Sequence, residues 1–389
     1  MIETGLDRVA VADPEALALL RGRKLGLLAH PASVDRRLRH AHAVLIAAGC
    51  DVRALFGPEH GYGGEAQDMI AVGSERASSG LQVHSLYGGS EQDLSPRAEW
   101  LAGLDAMVVD LQDVGSRYYT FVWTAVLMLR SAAAAGVQVI VLDRPNPLGG
   151  TRVLGGAQRA GYRSFVGLHD VAVQHGMTLG ELCLLAAARE RIDRAALHVV
   201  PMRGYRRELA YEATGLPWVL PSPNMPTLDT ARVYPGGCLL EGTNLSEGRG
   251  TTRPFEIFGA PFVDGHALAR AVELDGAQLR PLSFTPGFQK HAGKRCGGVQ
   301  VHVTAPERFD AYAGYLRLIA AIHAQAGDAL RFRTEPYEFV SDRPALDLLC
   351  GGPEPRELIA AGQGLDEWLV QDARAAQRFD RERQPYLLY

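Results

Sequence analysis

The chain has 389 residues, 47% of them apolar and 22% charged, with a formal net charge of -4 at pH 7. That length suits two domains rather than one, the composition is that of a globular protein, and the lack of a basic stripe argues against nucleic acid as a partner. Five cysteines (Cys50, Cys183, Cys238, Cys296 and Cys350) lie far apart with no CxxC pair, which argues against a zinc ribbon or a disulfide framework and for reduced, mostly buried thiols. With no charged stretch leading into an apolar core at the N-terminus and no apolar run of membrane-spanning length, the expected location is the cytoplasm, off the membrane.

In chain order, Lys24 to His30 predicts a first strand, Arg36 to Ala48 an amphipathic helix and Asp51 to Phe56 a second strand. Ala106 to Leu111 and Val137 to Asp143 predict two more strands, separated by an apolar helix over Thr120 to Ala135. Near-continuous β-branched runs alternating with helices indicate a parallel sheet covered on both faces, a Rossmann-like α/β domain. Ligands of such sheets bind beyond the carboxyl ends of the strands. The polar clusters stand there: His30-Pro31-Ala32-Ser33, Gly57-Pro58-Glu59-His60-Gly61, Asp110-Leu111-Gln112-Asp113 and Asp143-Arg144-Pro145-Asn146. No GxGxxG follows the first strand, so a dinucleotide has little support.

Thr178 is placed to cap a helix running to about Arg191. Residues 217–261 are dense in Pro, Gly, Asn and Thr, and read as a long, ordered, functional loop. Beyond it, helix signals and short β-like pieces such as Gly298 to Val303 predict a smaller α+β auxiliary domain. The division expected is 1–260 for the Rossmann-like domain with its loop, and 261–389 for a second domain closing the cleft.

Glu59 and His60 sit between turn residues at a strand end. A carboxyl held in a tight, partly buried turn suits a general acid, and the same pattern also fits a turn carboxylate bonding backbone amides. Glu65 and Asp68 follow, able to supply a second carboxylate or simply line the turn. Asp110 and Asp113 stand three residues apart, but no further acid or His cluster completes a metal site. With Arg117 and Tyr118 they fit sugar binding better, since acids bond hydroxyls, Arg pairs an anionic group and tyrosine rings stack on a pyranose. Arg144 beside Asp143 reads equally as an ion pair or a ligand contact, with Asn146 next to it. In the long loop, Asn224 and the run Glu241-Gly242-Thr243-Asn244-Leu245-Ser246-Glu247-Gly248-Arg249-Gly250-Thr251-Thr252 place polar groups between glycines, where backbone can approach a ligand.

Taken together, Phe56 to Gly61, Asp110 to Thr120, Asp143 to Gly150, Pro221 to Asn224 and Glu241 to Thr252 make the chain resemble the NamZ (YbbC-like) exo-β-N-acetylmuramidases, a family long described only as a domain of unknown function. The resemblance runs nearly end to end, to Pro336-Tyr337-Glu338-Phe339 and the closing helix. It implies a Rossmann-like domain with an auxiliary domain and a cleft between them. It also implies removal of N-acetylmuramic acid from the non-reducing end of peptidoglycan fragments, without a metal or nucleotide cofactor, and Glu59 as the leading catalytic residue.

Glycoside hydrolysis needs an acid for the leaving oxygen and a second group for the anomeric carbon. The expectation is Glu59 as acid, tuned by His60 and Asp110. Either Glu241 or Glu247 then activates water, or the substrate's 2-acetamido group attacks, steadied by Asp113 or Asn224. Arg249 or Arg117 is expected to read the lactyl carboxylate of muramic acid, the substrate being a muropeptide or a MurNAc-GlcNAc sugar. Arg144, Asn146, Asn244 and Thr251 complete the expected binding residues. The alternative reading is a non-catalytic two-lobed binding protein for cell-wall sugars.

Overall fold

A computed structural model describes residues 2–67, 69–77 and 80–389. Seven strands form the first sheet: β1 (Lys24–Ala29), β2 (Asp51–Gly57), β3 (Glu75–Arg76), β4 (Gln82–Ser85), β5 (Ala106–Asp110), β6 (Gln138–Leu142) and β7 (Leu197–Val200). Their order is β3-β4-β2-β1-β5-β6-β7. Six run parallel, and the short β3 lies antiparallel on the edge. All five residues of β5 and all but the first of β1 and β6 are buried. This is why these strands read as unbroken apolar runs rather than alternating ones. The chain builds outward from β1 through β2 to β4, then crosses to β5 on the other side. The carboxyl ends around that reversal are where such sheets hold ligands.

The helix Phe121–Ala134 is buried over its first nine residues, on every face, because it lies between the sheet and the rest of the molecule. The helix Leu179–Glu190 begins as expected at Thr178, whose hydroxyl accepts the amide of Glu181 while the Glu181 side chain accepts that of Thr178.

A second sheet, antiparallel and ordered β8-β10-β9, comprises β8 (Ile257–Ala260), β9 (Ala277–Phe284) and β10 (Cys296–Val303). It packs with the helices Gly265–Ala271 and Ala311–Ala326 into a smaller α+β unit. Because β8 pairs with β10, this sheet draws on residues on both sides of position 260.

The segment 217–261 is not one long loop. It contains the helix Leu228–Gly237, capped by Thr227, which runs into the 3-10 turn Cys238–Gly242. Pro235 inside this helix and the two glycines after it conceal it from a reading by propensity. Packing overrides propensity here: the helix presses against Ala311–Ala326, where a Cβ on Gly236 would come within 2.1 Å of the Ala311 carbonyl oxygen.

One hydrophobic cluster runs from Leu28 and Phe56 under the first sheet, through Trp123 and Phe258, to Phe379 in the last helix, Leu365–Arg383. Polar ties cross the same boundary. Arg117 donates to the Leu349 carbonyl at 2.6 Å, the Gly156 amide to Asp372 at 2.7 Å, and Arg383 to the Gly150 carbonyl at 2.9 Å. All five cysteines are buried free thiols. Among the described residues no helix is long and apolar enough to cross a membrane.

Candidate active site

Beyond the end of β2 the chain turns sharply. A Cβ on Gly57 would lie 2.4 Å from the Tyr62 amide nitrogen, so the strand end and the following loop touch backbone to backbone. This fold-back places Glu59 and His60, only 5% and 7% exposed, on the wall of a recess between the two lobes. His60 has a left-handed backbone (φ 69°), and its ring Nδ1 donates to the Ala66 carbonyl at 2.8 Å. That bond fixes the orientation of the ring, whose Nε2 is the acceptor nitrogen in the corresponding neutral tautomer.

Thr120 stands at the N-terminus of the Phe121 helix, where a threonine normally caps the backbone. Here its side chain makes no cap; the hydroxyl donates to Glu59 Oε2 at 2.6 Å. A local rule of helix construction is given up in order to hold a carboxylate, a pattern that marks functional sites. Tyr118, Tyr119 and Phe121 continue the wall, with Tyr119 edge-on to both Phe121 and Tyr234. Burial pushes the Tyr118, Tyr119, Tyr234 and Tyr337 hydroxyls well above the ordinary phenol range, so they remain neutral.

The opposite wall comes from the later part of the chain: Ser222, Asn224, Met225, Glu241, Arg249, Phe255, Tyr337 and Glu338. Asn224 donates to Gln67 at 2.9 Å, tying this wall to the loop after β2. Glu241 accepts from Arg249 on one oxygen and from the Tyr337 hydroxyl at 2.7 Å on the other. The Arg249 guanidinium lies 5.1 Å over the Phe255 ring, and its Nε is 3.3 Å from Glu247. Lys290 reaches Glu247 at 3.0 Å. Burial would raise the Glu247 carboxyl, but Lys290 and Arg249 outweigh it and hold the group below its ordinary value. Glu241, Glu247, Arg249 and Lys290 are thus linked by ion pairs, with Glu241 and Arg249 on the recess wall and Glu247 behind them.

Of the residues expected from sequence, the recess brings together Glu59, His60, Tyr118, Asn224, Glu241 and Arg249. It does not include the others. Asp110 is fully buried and bound bidentately by Arg144, at 2.5 and 2.7 Å, which joins the ends of β5 and β6. The expectations that Asp110 tunes Glu59 and that Arg144 meets the sugar therefore give way to a structural ion pair. Arg117 is turned inward, its guanidinium divided among the carbonyls of Gly156, Val171 and Leu349. With no face on the recess it is corrected from a carboxylate reader to a framework residue.

Asp113 accepts the Gly115 amide at 2.7 Å and lies 3.4 Å from His175 Nε2. Asn146 bridges the Met177 carbonyl and the Leu148 amide. Asn244 bonds the Ala329 carbonyl and the Arg331 amide, and Thr251 closes a turn on the Gly248 carbonyl. Glu247 stands behind Arg249 rather than on the recess itself. Glu65 is not on the recess either, and Asp68 lies outside the described residues. Among the described residues no group of three or more His, Cys, Asp or Glu is placed to hold a metal ion.

Sequence reasoning missed Thr120, Ser222, Tyr234, Phe255, Tyr337 and Glu338 as wall residues. Thr120 carried a readable signal, a polar residue between paired tyrosines and a helix. Glu338 lay in a segment that shared the family resemblance, but nothing local turned it toward a site, because its place depends on contact with Tyr87, 251 residues away.

Comparison with known proteins gives a consistent result. Family models for the N-terminal and C-terminal parts of exo-β-N-acetylmuramidase NamZ match residues 25–229 and 232–389. The chain is 39% identical over 393 residues to the peptidoglycan β-N-acetylmuramidase NamZ of Bacillus subtilis (strain 168), covering all of this chain and 91% of that protein. Two crystal structures of DUF1343 family proteins from Bacteroides fragilis share the fold, at 31% identity with a TM-score of 0.87 and 27% identity with a TM-score of 0.77. Each alignment covers 100% of this chain and 99% of theirs.

Proposed function

The chain belongs to the NamZ exo-β-N-acetylmuramidase family, and we propose on that basis that it is a glycoside hydrolase removing N-acetylmuramic acid from the non-reducing ends of peptidoglycan fragments. The observation that carries the reading is the meeting of Glu59 and His60, from the loop after β2, with Asn224, Glu241 and Arg249, from later in the chain, around one recess.

In this reading Glu59 is the general acid. Its carboxyl is enclosed and oriented by the Thr120 hydroxyl, so its proton can be directed at a glycosidic oxygen entering the recess. His60, its ring fixed through the Ala66 carbonyl, presents Nε2 as a hydrogen-bond acceptor for sugar hydroxyls or water. Arg249 is the single cation on the recess wall among the described residues, and it is the reader we assign to the lactyl carboxylate that distinguishes muramic acid from glucosamine. Asn224 is suited to the 2-acetamido group, and a disaccharide or muropeptide end is the substrate this recess is taken to receive. Glu241, already bound by Arg249 and Tyr337, sets the orientation of that arginine.

The test is release of the aglycone from a chromogenic N-acetylmuramide. The parent protein turns it over, and Glu59→Gln lowers kcat by about 10²- to 10⁴-fold, the range supplied by a general acid. Near-parental turnover by the variant removes Glu59 from the mechanism. Tight binding of the sugar by the parent without turnover points instead to a sugar-binding protein.

A further inference from the structure

The recess holds a carboxylate that the assignments above leave without a role. Glu338 is 4% exposed and lines the same recess as Glu59, from the C-terminal part of the chain. It sits in a tight turn closed by paired backbone hydrogen bonds between Tyr337 and Val340, both 2.9 Å. The two central residues of that turn, Glu338 and Phe339, have φ of 45° and 67°. This is the left-handed backbone that Asn and Gly occupy in hairpin turns, and a Glu-Phe pair is poorly suited to it. Such conformations persist where the surroundings over-determine them, and they gather at active sites.

The surroundings here are specific. Tyr337 reaches back to Glu241 with its hydroxyl at 2.7 Å. Phe339 meets the Tyr87 ring edge-on at 5.7 Å, and the Tyr87 hydroxyl donates to both Glu338 oxygens at 3.2 and 3.4 Å. One tyrosine of the first lobe thus fixes both strained residues of the second. Three consecutive side chains of the turn are divided between wall, recess and opposite lobe, and the one given to the recess is the acid.

We propose that Glu338 is the second carboxylate of the hydrolysis, the proton acceptor for the attacking water. Glu59 gives its proton to the glycosidic oxygen as the bond from that oxygen to the anomeric carbon breaks, and the bonding pair stays on the oxygen. The water oxygen forms the new bond to the anomeric carbon, and the proton it sheds passes to Glu338. Glu338 then releases this proton to solvent and Glu59 takes one up, so one water is consumed for each bond cleaved. This chemistry requires two carboxyl groups flanking the scissile bond, and Glu59 and Glu338 both line the recess. Because the water attacks the face opposite the leaving group, the first product is the inverted, α anomer. The proposal rests on the assignment of Glu59 as the acid.

Two measurements test it. The first follows the anomer released by the unmodified protein from a β-linked N-acetylmuramide by NMR, before mutarotation, and needs no variant. The second compares Glu338→Gln with Glu59→Gln on aryl N-acetylmuramides with good and poor leaving groups. Glu338→Gln is expected to lose about 10²- to 10⁴-fold in kcat on both, with little change in KM, while Glu59→Gln keeps more activity on the good leaving group. Initial release of the β anomer overturns the proposal. So does a Glu338→Gln kcat within tenfold of the parent, or a loss confined to the poor leaving group. A parent that is inert on every muramide overturns the glycosidase reading as well, whereas an active parent with an active Glu338→Gln overturns only the role of Glu338.

Discussion

Replacing Arg249 by Met would remove one cation from a buried charge cluster and keep most of the side-chain volume. In the parent, Arg249 and Lys290 neutralise Glu241 and Glu247, whose exposures are 5% and 2%. In the variant the buried carboxylates Glu241 and Glu247 both lose that cation, and Phe255 loses the guanidinium stacked 5.1 Å over its ring. Leaving one partner of a buried ion pair uncompensated costs about 3–5 kcal/mol, a large part of a total stability of roughly 5–15 kcal/mol.

The pH dependence gives the sign. Glu247 is held below its ordinary value in the parent, so it contributes stability that is present above its unfolded pKa and is lost as pH falls. In the variant the uncompensated carboxylate favours its protonated form, and acid relieves the strain. The gap between parent and variant should therefore be widest near pH 7–8 and shrink toward pH 5. Urea unfolding at several pH values measures it, and initial rates on muramide and glucosaminide substrates measure the specificity lost with the carboxylate reader. A gap below about 1 kcal/mol at pH 7, a gap that grows on acidification, or an unchanged muramyl preference would refute the reasoning.

Arg117→Met should do the reverse of Arg249→Met on specificity. It strands three buried carbonyls at a cost of about 1–3 kcal/mol each and lowers the thermal midpoint, yet the surviving folded fraction keeps its muramyl-to-glucosaminyl ratio. A changed ratio would return Arg117 to the site. Asp372, pushed up to about 6 by burial despite the Gly156 amide and Arg117, loses its stabilising effect as pH rises through that value. Asp372→Asn should accordingly gain on the parent between pH 4.5 and 7.5, by at most about 3 kcal/mol. Parallel melting-temperature curves across that range would contradict it.

The strands at Lys24, Asp51, Ala106 and Gln138 were legible because burial on both faces demands continuous apolar runs, and the position of Glu59 followed from them. The cap at Thr178 was legible because the capping box is wholly local. The helix Leu228–Gly237 was not, since its Pro and Gly are tolerated only through contact with Ala311–Ala326. Spacing alone also cannot tell an arginine that meets ligand from one that meets protein. Arg144 and Arg117 stand in motifs as polar as that of Arg249, and their roles part only when Asp110 or three carbonyls arrive from elsewhere in the chain. Glu338 is the extreme case, an acid within a segment of the family resemblance whose placement depends on a left-handed turn and a distant tyrosine.

The ties at Leu349, Asp372 and Arg383 have a calorimetric consequence. The family models part the chain near residue 230, yet the apolar cluster and these hydrogen bonds pass straight across that division. Neither half can melt without exposing the interior of the other and stranding its buried polar groups. The molecule should absorb heat in one cooperative transition, and each half expressed alone should lack one. Recess walls drawn from both halves are then assembled in the same event that makes the protein stable.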